Sequence, residues 1–164
     1  MAVTVASFIN KYELSTSGNV STAKLTEYIT RYDTITLIEL FGKELYDLYV
    51  IGIGAADPIY EFLRDAFVVQ LDNGCILNSR GVDDMITGIV YFYYQSDAFT
   101  QQTINGSTKT QGENSKNVSL VVANIHGRWN EAIDTYQAIQ DYICENLAVY
   151  PTFKGQPKQI LGIF

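Results

Sequence analysis

Apolar residues recur at helical spacing in three long stretches of this chain. Residues 82–95 are apolar on nearly every side and carry Asp83 and Asp84 in the first turn, where carboxylates complement the helix dipole. Residues 35–50 have one apolar face, and residues 119–149 keep an apolar stripe for about eight turns. These patterns predict three principal helices near 35–50, 82–98 and 119–149, with the second in the centre.

Shorter helices are predicted in the first part of the chain. Residues 3–12 and 21–32 show helical spacing, and Asp33 is the predicted N-cap of the helix that begins near residue 35. Asp57-Pro58 is typical of the start of another short helix, because proline fits the first helical position.

A small β-hairpin is predicted at residues 67–77. Two apolar runs lie on either side of Asn73-Gly74, which favours a tight turn; the alternative is that the preceding helix continues through Val69. The predicted fold is mainly α, a helical bundle of three principal helices with shorter helices, one or two β-hairpins and an extended C-terminal arm.

The apolar pattern stops after Phe99, at a segment named here the polar hairpin (residues 100–118). Its only large apolar side chains are Ile104 and Val118, and Asn105-Gly106 is typical of a type I′ turn. A hairpin with two polar faces is not a core strand, so we expect it to reach into water or onto another polar surface. The alternative is a disordered surface loop. The candidate contact residues carry hydroxyl, amide or amino groups or form the turn: Thr103, Asn105, Gly106, Thr108, Lys109, Asn114 and Ser115.

The last segment, residues 150–164, is predicted to be an arm outside the helical domain of residues 1–149. Pro151 ends the third principal helix, because the residue before a proline is pushed out of the helical region. Ordering each residue costs about 1–2 kcal/mol of backbone entropy, so the arm needs a surface that receives its side chains. That surface is either the chain's own core or a partner. The candidate docking residues are apolar or basic: Phe153, Lys154, Lys158, Ile160, Leu161, Ile163 and Phe164.

Charge argues against phosphate binding as the main role of this protein. Eleven Lys and Arg against eighteen Asp and Glu give a net charge of −7. Residues 130–145 contain four acidic residues and no base, whereas residues 146–164 add two lysines. An acidic helix beside a basic tail suggests pairing between subunits or with a partner; the alternative is a solvated helix and a loose terminus.

Recognisable catalytic and metal-binding motifs are absent from the sequence. Cys75 and Cys144 lie in apolar contexts far apart, so we expect them to be reduced, buried and inert. His126 has no second ligand at metal-binding spacing, and Gly52-Ile-Gly54 lacks the strand and third glycine of a dinucleotide site. We therefore expect no cofactor, no metal and no enzymatic activity. Without a signal peptide or an apolar run of membrane length, synthesis in a reducing cytoplasm is expected.

Several groups of residues, in this order, resemble the head-to-tail adaptor (connector) proteins of tailed-bacteriophage necks. They are Leu40-Phe-Gly-Lys-Glu-Leu-Tyr-Asp-Leu-Tyr49, Ser79-Arg-Gly81, Tyr91-Phe-Tyr-Tyr-Gln95, Thr100, Thr103, Gly106, Glu113-Asn-Ser-Lys-Asn-Val-Ser119 and Arg128-Trp-Asn130. The resemblance implies a homo-oligomeric ring, twelve-fold by family, that binds the portal protein and the next neck or tail protein. It also implies a virion location and a bore that passes DNA without sequence-specific binding. With this resemblance, the polar hairpin is expected to contact a neighbouring subunit or line the lumen. Stopper and tail-terminator ring proteins are alternatives, and a small helical enzyme or regulator is a weaker one.

Overall fold

The structure, a computed structural model, describes residues 3–14, 21–103, 106–109 and 115–160, with the backbone alone for 98–103, 106–109 and 115–122. The described chain is mainly α-helical, as predicted. Two short 3₁₀ helices, Val5–Ser7 and Asn10–Tyr12, come first. The remaining elements are α1 (Thr22–Phe41), α2 (Lys43–Gly54), α3 (Pro58–Arg64), β1 (Phe67–Gln70), β2 (Ile76–Ser79), α4 (Val82–Phe99), β3 (Thr100–Thr103), β4 (Gly106–Lys109) and α5 (Ser115–Glu145).

Helix α4 lies at the centre of the core, in agreement with its nearly all-apolar sequence. It packs against both α1 and α5. The buried apolar side chains of these helices include Leu25, Ile29, Leu37, Leu40 and Phe41 on α1, Val82, Met85, Ile86, Ile89 and Val90 on α4, and Ala132, Ile133, Tyr136, Ile139 and Ile143 on α5. Gly88 lets α5 pack closely against α4, since a Cβ added at Gly88 would lie 3.0 Å from the Cβ of Ala132.

The predicted helix boundary at Asp33 is wrong. Helix α1 runs without a break through Asp33, whose side chain is buried, and the chain turns instead at Gly42. Gly42 has a φ of 79°, which favours glycine, and it separates α1 from α2. The apolar spacing of α1 continues across residue 33, so packing against α4 decides the boundary and the local capping signal does not.

The β1–β2 hairpin is confirmed. It is antiparallel, with Phe67 opposite Ser79 and Gln70 opposite Ile76. Gly74 has a φ of 85° in the turn, and the side-chain oxygen of Asn73 accepts a hydrogen bond of 2.8 Å from the amide of Cys75.

The expectation of buried cysteines is wrong. Both cysteines are free and exposed. Cys75 follows directly on the turn of the hairpin, and Cys144 lies on the outer face of α5, one residue before the helix ends at Glu145. Leu77 and Ile143 nearby are buried, but Ile76 beside Cys75 is 67% exposed, so an apolar sequence context does not decide the burial of a cysteine.

Candidate interaction surfaces

The structure confirms an antiparallel hairpin within the predicted polar hairpin. β3 pairs with β4, with Thr100 opposite Lys109 and Thr103 opposite Gly106. α4 ends at Phe99 and β3 begins at the next residue, so the hairpin starts directly at the end of the central helix. Of the candidate residues, Thr103 ends β3, Gly106, Thr108 and Lys109 lie in β4, and Ser115 is the first residue of α5. Asn105 and Asn114 lie outside the described residues.

Residues 150–160, named here the C-terminal strap, begin with a turn in which the amide of Phe153 donates to the carbonyl of Tyr150 at 3.2 Å, and then lie along their own chain without regular secondary structure. The strap crosses the end of α1, where helix geometry leaves the last four carbonyl groups without intrahelical donors. The amide of Gly42 donates to the carbonyl of Ile38 at 2.8 Å. Within the strap, the amide of Gln156 donates to the carbonyl of Glu39 at 2.7 Å, and that of Lys154 donates to Phe41 at 3.1 Å.

Side chains of α5 complete this arrangement. Nε2 of Gln140 donates to the carbonyl of Leu40 at 3.0 Å, so that all four final carbonyls of α1 accept a hydrogen bond. The same amide also donates to the carbonyl of Gln156 at 3.1 Å, and the hydroxyl of Tyr136 donates to that oxygen at 2.5 Å. Nε1 of Trp129 donates to the carbonyl of Gln159 at 3.3 Å. The strap therefore joins α1 to α5 and acts as the C-terminal cap of α1.

Both lysines of the strap pair with carboxylates of the same chain. Nζ of Lys158 lies 2.5 Å from a carboxylate oxygen of Glu39, and Nζ of Lys154 lies 3.3 Å from one of Glu44. The last turn of α1 has no basic residue of its own. The strap thus brings positive charge to the negative end of the α1 dipole.

Of the two surfaces considered for this segment, the chain's own core receives residues 150–160 in part. Tyr150 is buried and Phe153 packs against the core, whereas Ile160 is 55% exposed. Leu161, Ile163 and Phe164 lie outside the described residues. The chain's own surface therefore receives the first part of the predicted arm.

A second group of charged side chains, named here the Glu131 network, ties the N-terminal segment to α4 and α5. The carboxylate of Glu131 accepts from Arg80, from Arg128 at 2.9 Å and from Lys11 at 3.4 Å. Lys11 also lies 2.9 Å from a carboxylate oxygen of Asp84. Burial alone would raise the pKa of Glu131, but the hydrogen bond from Arg80 and the three positive charges lower it below its ordinary value.

A pocket of about 280 Å³ lies beside this network. It is lined by residues 66–68 and 78–80 and by Asp84. Its charged groups, Arg80 and Asp84, already form ion pairs with Glu131 and Lys11. A molecule bound in this pocket would therefore find both charged groups already paired.

The one histidine of the chain has an aromatic neighbour. His126 lies with its ring centroid 6.1 Å from that of Phe92, in a partly buried position. The described residues contain no group of three or more His, Cys, Asp or Glu side chains placed to hold a metal ion. No helix within these residues combines the length and apolar character of a membrane span. Comparison of the chain with protein-family models, curated proteins and solved structures found no match.

Sequence reasoning did not find the residues that hold the strap. Glu39, Glu44, Gln137 and Gln140 are polar side chains on outward parts of helices, and nothing in their spacing marks them as partners of residues 154–158. The one signal that could have indicated a close approach is the glycine between Lys154 and Gln156, since a glycine often occurs where another part of the backbone comes near.

Proposed function

We propose that this protein is a head-to-tail adaptor of a tailed bacteriophage. It forms a ring that binds the portal protein and the next neck or tail protein, and DNA passes through its bore. The resemblance of residues 40–49 and 79–130 to that family supports the ring and the portal as partners. A net charge of −7 suits a surface that DNA passes without binding.

The observation that carries the proposal is the polar hairpin, which lies between the core helices α4 and α5. Its sheet has two strands, so each strand has one edge that is unpaired among the described residues. Edge N–H and C=O groups, together with hydroxyl and amide side chains, bind a neighbouring chain without burying apolar surface. The hairpin is accordingly the proposed contact between subunits or the lining of the lumen.

The proposed role is structural and requires no catalytic group, metal or cofactor. The protein is made in the host cytoplasm and resides in the neck of the virion. In this role the portal-docking part of the arm begins at Ile160, because Lys154 and Lys158 pair within their own chain. Ile160 is exposed at the end of the strap, and the apolar residues Leu161, Ile163 and Phe164 follow it in the sequence.

Deletion of residues 102–111 tests the proposal. We expect the wild-type chain to form rings, alone or on the portal protein of the same virus, in negative-stain electron microscopy and light scattering. The deleted chain keeps its helical circular dichroism and loses the rings. An Asp72→Ser control, in the exposed turn of the other hairpin, assembles normally. A wild-type chain that stays monomeric both alone and with the portal contradicts the proposal.

A further inference from the structure

Lys24 and Arg31 differ from the other bases whose side chains the structure describes. Each of the others, Lys11, Lys43, Arg64, Arg80, Arg128, Lys154 and Lys158, forms an ion pair with a carboxylate. Lys24 instead lies over the rings of Tyr28 and Tyr94, at 5.8 and 6.0 Å from their centroids, and Arg31 lies 5.5 Å from that of Tyr32. Both bases are exposed.

These two bases lie in a stripe on the outer face of α1. Lys24, Arg31 and Ile35 are separated by seven and four residues and therefore point in nearly the same direction. Ile35 is 47% exposed, and the tyrosine rings flank the stripe. Glu27 lies on one side of it. Arginine and tyrosine around an exposed apolar side chain are the composition of interface hot spots.

The outer face of α5 has the opposite charge. Asp134, Asp141 and Glu145 are exposed and lie along one line of the helix, and none takes part in an ion pair with another described side chain. Partial desolvation, and then the carboxylates of Asp141 and Glu145, raise the pKa of the nearby Cys144 thiol. This face lies beside the strap, since the neighbouring Gln137 donates to the carbonyl of Lys158 at 3.0 Å.

The two stripes match in spacing as well as in charge. Lys24 and Arg31 are seven residues apart, as are Asp134 and Asp141, which is about 10.5 Å along a helix in each case. An antiparallel crossing places Lys24 against Asp141 and Arg31 against Asp134. Ile35 then lies near Asn130, whereas a parallel crossing would place it against Glu145.

We propose that the α1 stripe (Lys24, Arg31, Ile35) binds the acidic face of α5 (Asp134, Asp141) in a second copy of this chain. The contact joins two different surfaces of identical subunits, and such a heterologous contact generates a ring when its rotation closes. The inference rests on the proposed ring and names the surfaces that build it. Because its charges lie at the surface, salt weakens the contact.

Charge exchange tests this interface. Lys24→Glu with Arg31→Glu makes both stripes acidic, and Asp134→Lys with Asp141→Lys makes both basic. We expect each double variant to lose the oligomer in sedimentation velocity and to self-associate at least about 10-fold more weakly than the wild type. An equimolar mixture of the two variants, and the quadruple variant, regain assembly. The quadruple variant keeps the wild-type net charge of −7, so its recovery is not an effect of net charge.

The matched control is Glu13→Lys with Asp72→Lys, two exposed sites with the same total change in charge as the α5 variant. This control assembles as the wild type does. All variants are also tested for rings on the portal protein. Rings that tolerate both double reversals, or a folded quadruple variant that never assembles, overturn the interface and leave the proposed ring in place. A wild-type chain that forms no ring, free or with the portal, overturns both.

Discussion

At the scale of single residues, Gly155 shows most directly how closely the strap approaches the helices. A Cβ added there would lie 2.1 Å from the carbonyl oxygen of Leu40 and 2.5 Å from Nε2 of Gln140. These two atoms form one of the hydrogen bonds that cap α1. Any side chain at residue 155 must therefore displace the strap or break the cap.

Gly155→Ala is expected to lower the free energy of unfolding by about 1–3 kcal/mol, the usual cost of forcing an atom into a packed site. Thermal unfolding followed by circular dichroism measures the effect. Gly127→Ala is the matched control. A Cβ at Gly127 meets no atom within 4 Å, so alanine in the interior of α5 should add about 0.5–1 kcal/mol through its helix propensity. If Gly155→Ala unfolds at the wild-type Tm, the strap does not approach α1 as described.

Asp33 is an acidic residue in the core and makes stability depend on pH. Its side chain is 6% exposed on α1, and burial, together with the charge of Asp83, raises its pKa above the ordinary value. A raised pKa means that the charged form is disfavoured in the folded state. Asp33 therefore destabilises the folded protein to the full extent above its folded-state pKa, where it is charged. It has no such effect below its unfolded-state pKa of about 3.9, where it is protonated in both states.

Asp33→Asn is therefore expected to raise Tm at pH 7 and to have a diminishing effect as the pH falls toward about 3.9. Thermal unfolding curves of both proteins at pH values from about 3.5 to about 8 measure the difference in Tm. This range includes the unfolded-state pKa of about 3.9. Asp72→Asn, in an exposed turn, should follow the wild type throughout. An Asp33→Asn variant that is less stable at pH 7 would show that the carboxylate is stabilised in the folded protein.

At the scale of elements, the Glu131 network holds segments that share no sheet and no continuous helix. It connects the second 3₁₀ helix through Lys11, the residue after β2 through Arg80, and one turn of α5 through Glu131 and Arg128. Tyr12, next to Lys11, donates a hydrogen bond of 3.0 Å to Asp84 at the start of α4. Burial, and then the charge of Asp84, raises the pKa of this phenol, so it remains a donor.

Glu131→Gln is expected to cost about 1–3 kcal/mol at neutral pH, because hydrogen bonds to a charged group are lost. The folded pKa of Glu131 is lowered, so the carboxylate stabilises the fold above its unfolded pKa of about 4.3 and ceases to do so as the pH falls through the folded value. The Tm difference between variant and wild type should accordingly shrink in acid. Glu13→Gln, an exposed residue of the same N-terminal segment, provides the control. A difference that does not change with pH would show that the charge of Glu131 is not responsible.

At the scale of the whole molecule, the strap links the end of the chain to the junction of α1 and α2. It makes main-chain hydrogen bonds to α1 and receives side-chain hydrogen bonds from α5. The closing segment is thus part of the folded domain as far as residue 160. The capping role of the strap and the proposed docking role of residues 160–164 can be separated by where the chain is cut.

Truncation after Tyr150 is expected to lower Tm, because each of the lost hydrogen bonds contributes about 0.5–1.5 kcal/mol and the final carbonyls of α1 lose donors. Truncation after Gln159 retains these bonds and should keep the wild-type Tm. Under the proposed function, truncation after Gln159 still weakens binding to the portal protein, as measured by co-sedimentation. Full-strength binding by the chain truncated after Gln159 would show that residues 160–164 are not part of the docking surface. Equal Tm values for the two truncated chains would contradict the capping role of the strap.

The sequence alone determined the helical class, the central position of α4, the β1–β2 hairpin and the presence of a polar hairpin after Phe99. Each of these depends on periodicity or turn chemistry within about twenty residues, which is the range over which spacing carries information. The end of α5 was close to its prediction for the same reason, although its start at Ser115 was earlier than the predicted 119.

Only the tertiary structure decided the rest. The break at Gly42, the exposure of Cys75 and Cys144, and the seat of the strap depend on which distant surfaces meet. Lys154 contacts Glu44 across 110 residues, and Gln140 contacts Leu40 across 100. No local pattern encodes such pairs, because polar side chains on a helix look alike in sequence whether they face water or a returning segment of chain. Packing of the apolar faces brings them together, and their chemistry then fixes the contact.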